Sequence, residues 1–278
     1  MAFENFKPTI WETAIEKELE RLHVFVADTN QKYTGEVKQR GDAVRILSAG
    51  RPTITTITGD KDVTLNSPEV VEDSTTTLKV DYMSYFNFYV GDIDKAQANG
   101  EIESYLKGEA TQGLNDEMDM VVSKLSKDPQ AKKLNSSAVT LTKDNILGEF
   151  DKALQALYEN DVPMSANITI TVSPAIYTVF KQAYITADTD NSAMLENGKV
   201  ARYGNAVIRL SNNVAKDTNG NYLVQVKTDK AIGFANPMTH IEPYRPESKF
   251  GDAIKGFTIY GAKVVRAKEM VILNCKVA

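Results

Sequence analysis

One cysteine, one tryptophan and two histidines stand among 278 residues, and each scarcity closes off a class of function. Cys275 has no partner for an internal disulfide and no companions for a thiolate metal cluster. It reads as a small buried hydrophobe rather than a nucleophile. His23 and His240 lie in different segments, and no G-x-S-x-G elbow offers either of them a serine. The phosphate-cradling patterns G-x-x-x-x-G-K-[ST] and G-x-G-x-x-G are also missing. Two stretches begin like calcium loops and then fail. Residues 92–100 put Ala96 and Gln97 where a ligand and the required glycine belong, and residues 188–199 put Ala193 and Lys199 at the glycine and bidentate glutamate positions. Matches to the glycosylation sequon at Asn135 and Asn167 carry no meaning without a secretory signal, and the first residues lack the apolar run of one. No stretch approaches the ~20 apolar residues of a membrane-spanning helix. The expectation is a chain made in the cytosol, with no cofactor, no metal and no membrane.

Positive charge is scarce as well. Lys and Arg number 32 against 37 Asp and Glu, a net charge of -5. Proteins that grip phosphate backbones carry a basic surplus or stripe. The lysines of residues 127–137 are too few to make one and read as a solvated surface.

What is present is pattern. Hydrophobic residues are 42% and charged ones 25%, ordinary for a globular protein. Trp11, Ile15, Leu19 and Leu22 mark one face of an N-terminal helix, with Thr9 and Glu12 as a capping box. Trp11 reads as a packing anchor. Residues 24–30 form a strand or a short connection. A stripe from Ile102 through Leu106, Leu114, Met118 and Val122 to Leu125 predicts the longest helix. Thr142 caps a second helix carrying Ile146, Phe150, Leu154 and Leu157, which Pro163 ends. "NITITVS" is a strand, and Pro174 opens a third helix. Asn219-Gly220 is a hairpin signal. Residues 248–273, "SKFGDAIKGFTIYGAKVVRAKEMVIL", alternate as strand, turn and strand. The class is α+β.

Residues 48–77 behave differently. Of these thirty, eight are Thr, and Ile54, Ile57, Val63, Leu65, Val70 and Val71 are the large apolar residues. Burial supplies roughly 25 cal/mol per Å² of apolar surface, and ordering costs roughly 1–2 kcal/mol per residue. Six modest side chains cannot offset thirty ordered residues. Strong β-propensity with little glycine predicts a long hairpin, turning at the Gly-Asp-Lys-Asp bend of residues 59–62, that leans on another surface. A second chain is the natural support. Carboxylates are plentiful, and Asp116, Glu117 and Asp119 cluster on the long helix, yet no aromatic platform accompanies them. Self-assembly is the favoured reading.

The sequence resembles the major capsid proteins of tailed bacteriophages, whose shared fold is named after the phage Hong Kong 97. The resemblance runs over nearly the whole chain. It rests on Trp11, "HVFVADTN", Tyr33, Gly35 and Gly41-Asp42, then "LKVDYMSYFNFYVGDID" at residues 78–94. It continues with Asn160, "DVP" at 161–163, "VSPAIY" at 172–177, "LENGKVARYGNAVIRLSNN" at 195–213 and "FGDAIKGFTIYGAKVVR" at 250–266. It implies an N-terminal arm at residues 1–38, an extended β-hairpin loop at 39–91, a peripheral domain with a long spine helix at 92–140 and 237–278, and an axial domain at 141–236. It implies copies joined as pentamers and hexamers of an icosahedral shell around double-stranded DNA, held without sequence-specific binding. Trp11 on the arm, with Ile54, Ile57, Asp60, Lys61, Val63 and Leu65 on the hairpin, become the candidate subunit contacts. A portal and a scaffolding protein are the expected partners; since the chain starts almost directly at the arm helix, the scaffold is expected to be a separate protein or a segment already cleaved. The expected location is the virion, after synthesis in the bacterial host cytoplasm. One member of the family joins its subunits by a Lys–Asn isopeptide bond, and no residue here matches that chemistry.

Other readings remain. The same fold used as an encapsulin-like cellular compartment would differ by its cargo. A carboxylate-pair hydrolase would need a cleft with two acids of opposed pKa. A tail or decoration module would be a compact monomer without a protruding hairpin.

Overall fold

Two β-sheets, a two-stranded ribbon and three helices organise residues 24–36, 39–49, 53–56, 67, 73–92, 101–186, 202–248 and 250–277, which the computed structural model describes. The N-terminal helix expected around Trp11, and the bend at residues 59–62, lie outside them. Residues 24–30 are a connection rather than a strand, with a 3-10 turn at Val26–Asp28.

The ribbon comes first. β1 (Ala43–Ala49) pairs antiparallel with β2 (Asp73–Lys79), from Ala43 opposite Lys79 to Ala49 opposite Asp73. β3 (Tyr82–Gly91) follows after a short break and joins a different sheet. The spine-like helix α1 (Glu101–Lys124) matches the predicted stripe: Leu114, Met118 and Val122 are buried. The loop expected at residues 127–137 carries a two-residue strand, β4 (Lys132–Lys133), and β5 (Val139–Leu141) comes after it.

Helix α2 (Ile146–Tyr158) starts later than the Thr142 cap predicts. Asn145 is the reason. Its Oδ1 accepts the Thr142 N–H at 2.8 Å and its Nδ2 donates to the Thr140 carbonyl at 2.8 Å, closing a turn ahead of the helix. The other end stops before Pro163. The Val162 N–H reaches back to the Leu157 carbonyl and the Asp161 N–H to Tyr158, with Asp161 left-handed at φ 66°. This is the Schellman termination, with aspartate in the place glycine usually takes.

β6 (Ile168–Val172) and α3 (Pro174–Thr186) form as the sequence predicts. β7 (Arg202–Tyr203), β8 (Ala206–Leu210), β9 (Tyr222–Thr228), β10 (Ile232–Tyr244), β11 (Gly251–Val264) and β12 (Met270–Val277) complete the order. The Asn219-Gly220 turn exists, with Gly220 at φ 82°. It closes a short hairpin, with Lys216 bridged to Tyr222 and the Leu223 N–H on the Ala215 carbonyl at 2.8 Å, while the longer strands β8 and β9 are separated by β6.

The seven-stranded sheet runs β4-β12-β9-β6-β8-β7, with β5 also on β12. Alternation along each strand sorts its two faces. Ile168, Ile170, Val224, Val226, Leu273 and Cys275 meet Phe150 of α2 and Phe180 of α3. The opposite face sets Leu223 and Ile272 against Leu114, Met118 and Val122 of α1. The three-stranded sheet runs β10-β11-β3. Its inner face, through Phe86, Phe88, Ile241, Ile254 and Tyr260, packs in the same cluster as α1. Helix α1 is therefore shared by both sheets.

Candidate assembly interface

The ribbon is rooted at one end. Val44, Leu78 and Val80 are buried against Ala235 of β10 and Ile259 of β11, on the outer face of the three-stranded sheet. The strands meet there at backbone distance. A Cβ on Gly261 of β11 would lie 2.2 Å from the Lys79 carbonyl oxygen, so only glycine admits the ribbon at this height. Farther out, Arg45, Thr75 and Thr77 are exposed, and Ile54 is 84% exposed. Of the predicted contact residues, Ile54 is the one within the described residues. Trp11, Ile57, Asp60, Lys61, Val63 and Leu65 lie outside them.

The ribbon root covers one end of the outer sheet face and, among the described residues, leaves the remainder open. On β3, Met83, Tyr85 and Tyr89 point outward, opposite Ile259, Phe257 and Ala253 of β11. Met238 and His240 of β10 extend two of these rows, opposite Ile259 and Phe257. Tyr85 is 73% exposed, and Phe250 at the strand entry is 88% exposed. Apolar and aromatic rows thus flank a polar one, in which Asn87 stands opposite Lys255 and Lys255 pairs with Glu242 at 3.1 Å, a mixture of the kind found at protein contacts. Alternation along β3 turns Phe86 and Phe88 to the inner face. The outward series Met83, Tyr85 and Tyr89 was the unread half of that signal.

The residues that suggest chemistry are occupied otherwise. Asp116 accepts from Asn213 Nδ2 at 3.2 Å, whereas Asp119 is buried and accepts the N–H groups of Val24 and Val26 at 2.9 and 3.1 Å. His240 lies on the sheet's outer face, its ring 5.7 Å from that of Phe257. Burial pushes the Cys275 thiol up to about 12, so it stays protonated and unreactive near neutrality. An open groove of about 680 Å³ beside α2 holds Asp151 and Glu159. Eight residues apart on a helix, they are separated by roughly 12 Å of rise, farther than a glycosidase pair. Asp151 accepts from the Tyr203 hydroxyl at 2.9 Å and Glu159 from Gln155 at 2.8 Å. Burial, with the neighbouring Asp151, holds the Tyr203 phenol well above its ordinary range. Among the described residues no cluster of three His, Cys, Asp or Glu side chains is placed to hold a metal. None of the described helices is long and apolar enough to cross a membrane.

No family model matches this chain, and no curated protein matches it. Solved structures do. A structure from Mycobacterium phage Che8 superimposes with a TM-score of 0.76 at 23% identity, over 98% of both chains. The capsid structure of the cyanophage P-SCSP1u gives a TM-score of 0.68 at 15% identity, over 90% of this chain and 86% of that one. A virus-like particle from Pyrococcus furiosus gives 0.60 at 12% identity, over 95% and 98%. The chain has the α+β, Hong Kong 97-like capsid fold that the sequence resemblance implied.

Proposed function

We propose that this chain is the major capsid protein of a tailed bacteriophage. Copies of it join as pentamers and hexamers into an icosahedral shell around double-stranded DNA. The likeness to a phage structure along 98% of both chains carries this reading, because it covers the ribbon, both sheets and all three helices together. The four-part division of residues 1–38, 39–91, 92–140 with 237–278, and 141–236 belongs to the same proposal. Within it the extended loop is anchored through β3, and the peripheral and axial parts share the seven-stranded sheet through β12.

The shell is held by an exchange of surfaces. Each copy offers a ribbon with little apolar cover at its described outer part and an outer sheet face on which Tyr85 is exposed. One copy's ribbon, with Ile54 at its exposed part, settles on a neighbour. Packaged DNA is held by confinement, in keeping with the net charge of -5. A scaffolding protein and a portal complete the assembly, and the virion is the place of action. The likeness to an archaeal virus-like particle supports a second reading, an encapsulin-like cellular compartment.

The test is removal of residues 54–65, followed by circular dichroism and light scattering with negative-stain microscopy. The expected result is a folded subunit that forms no shell. Shells of normal size from the deletion variant would remove the ribbon from the mechanism. Nucleic acid inside shells recovered from cells supports the viral reading, and a protein cargo in its place supports the compartment.

A further inference from the structure

Lys227 on β9 is fully buried, on the face of the seven-stranded sheet turned toward α1. Its Nζ donates to the backbone carbonyl of Asp28. That bond is one of several converging on residues 24–30. Asp119 of α1 takes two of the segment's N–H groups, from Val24 and Val26. Arg209 of β8 forms an ion pair with the Asp28 carboxylate, its Nη2 donating to Oδ1 at 3.1 Å and its Nε lying 2.9 Å from Oδ2. Farther along, the Asn30 N–H donates to the Ile232 carbonyl at 2.9 Å, and the Phe234 N–H donates to the Asn30 carbonyl at 3.0 Å. Phe25 and Val26 fill the apolar space between these attachments. One short segment thus touches α1, the seven-stranded sheet and the three-stranded sheet.

The attachments reach three separate elements, so release of the segment breaks these polar bonds and exposes Phe25 and Val26 without breaking the strand pairing inside either sheet. We propose that residues 24–30 are a releasable clasp locking α1 and the two sheets together, with Lys227 as its proton-sensitive bolt. The groups facing Lys227 are Asp28 on the segment, Asp119 on α1, Asp229 beyond β9, and Arg209 on β8. Burial outweighs the attraction of the carboxylates and lowers the ammonium from its ordinary 10.5 to about 8. Opening the clasp returns Lys227 to water and to its ordinary value. Protons therefore favour the open form. Closure gains as pH rises from about 8 toward 10.5 and is nearly flat below that window. Between pH 7 and pH 9 the closed-to-open ratio rises roughly tenfold.

Hydrogen exchange by mass spectrometry on the full chain tests this at pH 7 and pH 9, with rates corrected for intrinsic amide chemistry and a β6 peptide as reference. Protection of residues 24–30 is expected to rise roughly tenfold relative to β6 in the native sequence, and to show no pH dependence in Lys227→Met. Equal protection at both pH values, or the same slope in Lys227→Met, overturns the proposal. Should Lys227→Met fail to fold, Asp119→Asn decides. Lower protection of residues 24–30 at both pH values with the slope kept supports the clasp, and unchanged protection overturns it.

Discussion

Strand β6 reads Ile-Thr-Ile-Thr-Val and strand β2 reads Asp-Ser-Thr-Thr-Thr-Leu-Lys, two threonine-rich segments. In β6 every residue is buried. In β2, Thr75 and Thr77 are exposed, and burial becomes complete only at Leu78, beside the root. Residue type explains why each is a strand. Cover explains the difference. β6 has strands on both sides, helices α2 and α3 on one face and the α1 side on the other, whereas β2 has one partner strand and a single landing point. The covered sheet holds its own shape. The ribbon strand β2 has such cover only at its root, where Leu78 meets Ala235 and Ile259.

The contrast breaks most sharply at Phe180 and Ile54. Phe180 is fully buried, its ring 5.5 Å from Phe150 and 5.8 Å from Tyr203. Phe180→Ala is expected to cost about 3–5 kcal/mol in urea unfolding of the subunit. Ile54→Ser is expected to change subunit stability by about 0.5 kcal/mol or less while reducing the yield of assembled particles. A large subunit cost at Ile54 would mean the ribbon is braced by its own chain.

Gly261 sharpens the picture at the root. Gly261→Ala sets a methyl group against the Lys79 carbonyl, and overpacking of this kind costs about 1–3 kcal/mol. Limited proteolysis should then cut residues 43–79 faster and leave the β6 region as resistant as before. Equal protection of the ribbon in both proteins would mean the two backbones do not rest on each other. The smallest effect belongs to the covered side. Asp161→Gly relieves a left-handed aspartate at the end of α2 and should stabilise the subunit by about 0.5 kcal/mol. A shift of the urea midpoint in the other direction would show that the Asp161 side chain earns its place.

Helix α1 was legible because its apolar stripe is long and regular, and the third helix because Pro174 marks its start. Local polar competition was not legible. Thr142 has the right type for a cap, but Asn145 satisfies the turn first. Strand partnership was hidden too. The Asn219-Gly220 turn pairs its immediate flanks, Lys216 with Tyr222, but gives no sign that β6 lies between β8 and β9, because pairing over such distances leaves no local mark. The clasp escaped because alternation assigns Gln225 and Lys227 to a solvent face. In the fold that face meets α1 and residues 24–30, and Gln225 donates to the carbonyls of Val122 and Ser123 at 3.1 and 3.0 Å. A readable trace did exist. Thr111, Asn115, Asp119 and Ser123 recur every fourth residue along α1 and are all buried, a polar seam inside an apolar helix face.

β12 is synthesised after every strand it joins, yet it supplies the edge that β9 needs and the partner of β4 and β5. Until the ribosome has made residues 270–277, β9 presents an open hydrogen-bonding edge and the larger sheet stays incomplete. Translation therefore acts as a timer. A chain still lacking that strand exposes the edge of β9, and closure of the larger sheet waits on a strand made after every partner it joins.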